Sequence, residues 1–193
     1  MSRLVWPLHG LDPLLPGNEL GSFGRETGGT MRTRVDLYCE RGQSVVSVEE
    51  GTVVAIVPFS GKHARENPNS TDHDTFAVLV EGPAGVVVYG NVHPLVAVGK
   101  RVKADEHIAS VVPRCSHFTG VPMVMLGFEL HATGSRELLR WYRGDPRPDA
   151  LLDPIPLLRD AADGPISMFD LDFYDEVRFR ASETPWQGNG GLV

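Results

Sequence analysis

Met125-Leu126-Gly127-Phe128-Glu129-Leu130 is the stretch that decides the fold. It reads as a strand. Side chains alternate between the two faces of a strand, so Gly127, Glu129 and the following His131 fall on one face and Leu126 and Leu130 on the other. Working outward, short β-branched runs recur. Val45-Val46-Ser47-Val48 and Val53-Val54-Ala55-Ile56-Val57 flank Glu49-Glu50-Gly51-Thr52, a hairpin signal. Phe76-Ala77-Val78-Leu79-Val80 and Val86-Val87-Val88-Tyr89 flank Gly82-Pro83-Ala84-Gly85, a second hairpin. His107-Ile108-Ala109-Ser110-Val111-Val112 adds a further strand. Many short strands punctuated by Gly and Pro predict an all-β fold, an antiparallel β-sandwich or barrel-like domain. One short helix is predicted over Ser135–Tyr142, capped by Ser135 and stopped at Asp145-Pro146.

The order of motifs along residues 20–155 resembles that of the lysostaphin-like metallopeptidases, zinc enzymes that cut peptide cross-links in bacterial cell walls. Members run through Phe-Gly-x-Arg, His-x-Gly-x-Asp, Gly-x-Val-Val, Tyr-x-His, Val-x-x-Gly-x-x-Val and His-x-His-Phe-Glu. Here Phe23-Gly24-Arg25 and Arg32-Thr33-Arg34-Val35-Asp36-Leu37 come first, followed by Gly51-Thr52-Val53-Val54-Ala55. Tyr89-Gly90-Asn91-Val92, Val98-Gly99-Lys100-Arg101-Val102 and Met125-Leu126-Gly127-Phe128-Glu129 complete the series. The resemblance implies a lysostaphin-type β domain.

It also implies which positions would do the chemistry. The family's three zinc ligands match Arg32, Asp36 and Gly127, and its two catalytic histidines match Asn91 and Met125. Only Asp36 can ligate, whereas zinc takes about three or four N, S or O donors. The expectation is therefore a degenerate site with no zinc and no catalytic residues. A groove of Arg32, Arg34, Asp36, Tyr89, Asn91, Glu129 and His131 would be kept for binding. A carboxylate left alone in such a groove would be costly. An arginine fork, from Arg32 or Arg34, is expected to take the cation's place beside Asp36.

Other histidines leave an alternative open. Alternation allows His93 to share a face with Asn91, and His131 with Glu129, so Asp36, His93 and His131 define a displaced metal site. Strand steps of roughly 3.3 Å per residue would carry each donor out of the family's geometry. His9, His107 and His117 read as ordinary surface or turn residues. Cys39 and Cys115 make no disulfide framework and read as free thiols. Ser60 to Asp74 is a long polar loop, read as a solvated surface segment or as a wall of the groove.

The chain has 193 residues, 41% hydrophobic and 22% charged, which suits one domain with extensions. A formal net charge of -7 argues against a general nucleic-acid or anionic-membrane binder. No apolar run is long enough for a transmembrane helix. Met1-Ser2-Arg3-Leu4-Val5-Trp6-Pro7 has no signal-peptide core, so a cytoplasmic or virion-associated location is expected. Residues 1–20 read as an N-terminal extension, 21–158 as the β domain and 159–193 as a C-terminal tail. In the tail, Phe169, Phe173, Tyr174 and Trp186 stand among acidic residues. Such residues anchor interfaces, so the tail is expected to dock on a protein partner or fold back as a strap over its own sheet.

Three functions compete at this stage. The chain is a pseudoenzyme used as a structural or binding module, for instance in a phage particle; or a working zinc endopeptidase with rearranged ligands; or a carrier-type barrel related by architecture alone, with Lys103 as its only loose lysine candidate. A peptidoglycan-like peptide in the groove is a further candidate partner.

Overall fold

A computed structural model describes residues 3–16, 21–60, 75–115, 122–162 and 167–169. The first half carries β1 (Leu14–Pro16), β2 (Glu26–Thr27), β3 (Thr30–Met31), β4 (Val35–Tyr38), β5 (Ser44–Val46), β6 (Gly51–Ser60), β7 (Thr75–Gly82) and β8 (Gly85–Pro94). The second carries β9 (Arg101–Val102), β10 (His107–Val111), β11 (Arg114–Cys115), β12 (Pro122–Met123), β13 (Met125–His131), β14 (Leu151–Leu152), helix α1 (Ile155–Ala161) and β15 (Ser167–Phe169). The fold is all-β and antiparallel apart from β1, which pairs parallel with β15. Among the described residues α1 is the one helix, and no helix is long and apolar enough to cross a membrane.

A nine-stranded sheet organises the domain. Its spine runs β14-β13-β8-β7-β6-β9, while β4 joins β13, and β10 joins both β8 and β5. The sheet has two apolar faces. One packs Val35, Leu37, Val78, Val80, Val87, Tyr89, Leu126 and Phe128 into the main core. The other carries Ala77, Leu79, Val86 and Val88, with Val57, Phe59 and Leu138 against them. This two-sided burial explains why β7 and β8 read as unbroken apolar runs.

Sequence reasoning located one hairpin and missed the other. β7 and β8 pair through Gly82 and Gly85 as expected. β5 and β6 do not pair: β5 adds to β10, and β6 to β7 and β9. The linking residues serve other contacts. Tyr89 Oη accepts the Val48 N–H at 2.8 Å, and Glu49 Oε1 accepts the Ala84 N–H at 3.0 Å. Burial pushes the Glu49 carboxyl upward, with its Ala84 hydrogen bond pulling the other way.

The helix is also elsewhere. Residues 135–142 are not helical. Ser135 Oγ donates to the Ala132 carbonyl at 2.8 Å, and Trp141 packs on Phe23 at 6.2 Å between ring centroids. The local Ser135 bond and the long-range Trp141 contact hold the segment out of a helix. The helix forms at Ile155–Ala161, after Pro154, with proline pre-set in its first turn. Its Leu157, Leu158 and Ala161 are buried in the main core. It thus crosses residue 158, where the sequence places the end of the domain. Leu8 and Leu15 of the expected N-terminal extension also lie in that core, and Leu8 bridges to Val45.

Residues 61–74, His117, Phe173, Tyr174 and Trp186 lie outside the described residues, as do the side chains of Cys115 and Phe169.

Tyr89 is fully buried and meets Phe128 edge to face at 5.7 Å. Its hydroxyl satisfies a backbone N–H with no access to water. Tyr89→Phe is expected to lower the unfolding free energy by about 1–3 kcal/mol, measured by urea denaturation. A midpoint equal to the parent's would show that the Val48 N–H finds another acceptor.

Candidate functional site

β13 lies between β8 and β4 in the sheet. Gly127 sits opposite Gly90 on one side and opposite Asp36 on the other. Three motif residues far apart in sequence thus form one row across the sheet. Directly opposed residues point the same way, so Asp36 shares a face with Met125, Gly127, Glu129 and His131. This is the face opposite Leu126 and Phe128.

Asp36 is buried, at 2% exposure, and both its oxygens are engaged. Arg34 Nε donates to Oδ1 at 2.7 Å, and Arg32 Nη1 donates to Oδ2. The pairing expected from either arginine is made by both. The Arg34 guanidinium also lies over Phe59, 5.1 Å from the ring centroid, a cation–π arrangement.

The glycines make this packing possible. A Cβ on Gly127 would lie 3.0 Å from Arg34 Cδ and 3.2 Å from Phe59 Cζ. A Cβ on Gly90 would collide with the Phe59 ring. The sheet is bare at these two positions, and Arg34 and Phe59 fill the space above them.

A second row continues the polar network. Thr33 Oγ1 donates to Glu129 Oε1 at 3.1 Å, and Glu129 Oε2 lies 2.9 Å from His131 Nε2. Both Glu129 and His131 are buried. Burial works to depress the Arg34 pKa, but the charge of Asp36, its hydrogen bond and the charge of Glu129 raise it overall. The guanidinium therefore stays charged inside the sheet's outer layer.

Tyr89, expected in the groove, faces the main core instead. Its neighbour Asn91 has a φ of 61° and buries both side-chain polar atoms without a partner among the described residues. Tyr89 keeps the alternation of Val87 and lies opposite Phe128, while a shift in register accounts for Asn91. Val78 pairs with Tyr89 and Phe76 with Val92, so β8 carries an extra residue there. The resulting bulge breaks simple alternation. Tyr89 and Val92 both reach the main core, and His93 beyond them is exposed. His131 meanwhile pairs with Leu151 at the far end of β13. Asp36, His93 and His131 do not converge, and among the described residues no three His, Cys, Asp or Glu side chains are grouped to hold a metal.

The zinc implied by the resemblance does not fit these residues. Gly127 offers no side-chain donor. Arg32 and Arg34 carry no lone pair to ligate with. The one carboxylate is already bound by two guanidiniums. Cys39 is no substitute, because burial pushes its thiol up to about 12, in the inert range.

No protein-family model and no curated protein matches the chain. Solved structures do. Lysostaphin from Staphylococcus simulans is similar at 18% identity and a TM-score of 0.45, over 75% of this chain and 50% of that one. Its catalytic domain, crystallised without phosphate, is similar at 19% identity and a TM-score of 0.44, over 73% of this chain and 90% of that one. A mutant catalytic domain of the prophage-encoded M23 protein EnpA from Enterococcus faecalis is similar at 18% identity and a TM-score of 0.46, over 74% and 98%. The chain spans about half the length of the two longer lysostaphin structures it resembles. Likeness at this level concerns the chain path, and the chemistry of the site rests on the residues above.

Arg34→Ala would leave a buried carboxylate with one guanidinium. We expect a loss of about 3 kcal/mol, the lower end for breaking a buried pair because Arg32 remains. Arg34→Met combined with Asp36→Leu is expected to recover part of that loss, since the buried carboxylate is gone and only Arg32, which is partly exposed, loses its partner. Chemical denaturation of the single and double variants checks both; an additive further loss in the double variant would exclude the pair as the cause.

Proposed function

We propose that this chain is a catalytically silent peptidase-like β domain, kept as a structural or binding module of a larger assembly such as a phage particle. The observation that carries the reading is the Arg34 guanidinium, seated on Asp36 above Gly127. A metallopeptidase needs a cation there that holds an open coordination position and acidifies a water. A guanidinium neutralises the carboxylate but offers neither. Met125 and Asn91, at the positions matching the catalytic histidines, supply no imidazole to move a proton.

The attachment point in this reading is the end of the chain. β15 already pairs with β1, so the sequence up to Phe169 follows the domain's own edge. Phe173, Tyr174 and Trp186 beyond it are residue types that anchor interfaces. Asp170, Asp172, Asp175 and Glu176 favour a basic partner surface.

Two measurements test the proposal. Purified protein is expected to leave bacterial cell walls undigested, and its zinc content after dialysis to be unaffected by Asp36→Ala. Zinc that disappears in that variant, together with cell-wall cleavage, would overturn the silent reading. Deleting residues 170–193 tests the docking arm separately. The shortened domain is expected to keep its melting temperature and lose its place in the assembly. Unfolding on deletion would make the segment part of the domain instead.

A further inference from the structure

Among the described residues three carboxylates are buried, Asp36, Glu49 and Glu129. Their surroundings differ. Asp36 has a guanidinium on each oxygen, and Glu129 has Thr33 on one oxygen and His131 on the other. Glu49, in the link between β5 and β6, is 2% exposed and has neither. Among the described residues its carboxylate meets one donor, the Ala84 N–H at 3.0 Å.

The corner around Glu49 is fixed by its own backbone bonds. Ser47 Oγ donates to the Glu49 carbonyl at 2.7 Å, and the Val48 N–H donates to Tyr89 Oη. The side chain reaches the turn of the β7–β8 hairpin and lies against Gly82. A Cβ on Gly82 would meet Glu49 Oε1 at 2.5 Å and the Glu50 carbonyl oxygen at 2.7 Å. The elements packed around this corner bring it no cation. Glu50 follows in the chain and adds negative charge. Tyr89 lies on β8, and Glu81 on β7 is held by Arg136 at 3.1 Å. Asp105 and Glu106 stand in the turn bonded to Ser47, and Lys100 is held by Glu106 at 2.7 Å. Arg3, Arg101 and Lys103 are exposed, and none of them is paired with Glu49. Burial, with the Glu50 charge behind it, raises the carboxyl's hold on a proton against the opposing pull of the Ala84 bond.

We propose that Glu49 is a proton-operated clamp joining the β5–β6 link to the β7–β8 hairpin. With the proton on, the carboxyl is neutral and still accepts the Ala84 N–H through its free oxygen. With the proton released to solvent, the corner holds a buried charge that no side chain offsets, and closing the hairpin on the link costs more. The corner is therefore most firmly closed in mildly acidic solution. The unfolded chain releases this proton near the ordinary carboxyl value of 4.5, and the folded chain at a higher pH. The stabilisation is complete below 4.5 and is lost as pH rises through the folded value. This device is independent of the silent Asp36 row.

The test compares the melting temperature of the full chain with that of Glu49→Gln, a neutral side chain of nearly the same shape, between about pH 4 and pH 8. Taking the difference between the two removes the titration of every other carboxyl. At the alkaline end the variant is expected to melt about 2–4 °C above the parent. The gap should close as pH falls into the ordinary carboxyl range. Carbon-13 resonances of the side-chain carboxyls in the unsubstituted chain give a check that needs no variant. The Glu49 resonance should move at a higher pH than that of glutamate in an unfolded peptide. A gap that stays constant with pH, a variant that melts below the parent at the alkaline end, or a Glu49 resonance that moves with the peptide's would each overturn the clamp.

Discussion

Asp36 needs a cation. It is a carboxylate at 2% exposure in a β-sheet, and an unpaired charge there would cost several kcal/mol. The chain meets this need with its own guanidiniums, one on each oxygen. Much of the surrounding structure follows from seating them. Gly127 and Gly90 leave the sheet bare, Phe59 lies under the Arg34 face, and Glu129 lends further negative charge.

The arrangement links local strand geometry to function. Arg34 immediately precedes β4, two residues before Asp36, and its Nε reaches the Asp36 carboxylate. A resident guanidinium held by a hydrogen bond, a cation–π contact and tight packing does not exchange as a metal ion or a water would. Both oxygens of Asp36 are thereby taken up by side chains of its own neighbourhood.

The segments flanking the sheet belong to the domain. Leu8 and Leu15 enter the main core from the N-terminal side, and Leu157, Leu158 and Ala161 from α1. The same N-terminal segment brings His9 beside His107.

Much was legible in the sequence alone. Strand character follows from β-branched runs and period-two alternation, which are local properties. The β7–β8 hairpin was readable because Gly82-Pro83-Ala84-Gly85 can scarcely do anything but turn. That Asp36 and Gly127 stand together could be inferred from motif order, and an arginine beside Asp36 from charge balance. Tertiary structure decided the rest. It sent β5 to β10 because Val48 and Glu49 bond across the sheet instead of turning back. It kept residues 135–142 out of a helix, where Trp141 packs on Phe23, and placed the helix after Pro154. It placed a bulge at Gly90 and Asn91, beyond which strict alternation no longer holds and Val92 as well as Tyr89 reaches the core. It also paired His9 with His107, a contact between residues nearly a hundred positions apart. Periodicity and turn chemistry act between near neighbours and are written in the sequence, whereas strand partnership, bulge position and distant side-chain pairs depend on which surfaces meet once the chain has closed on itself.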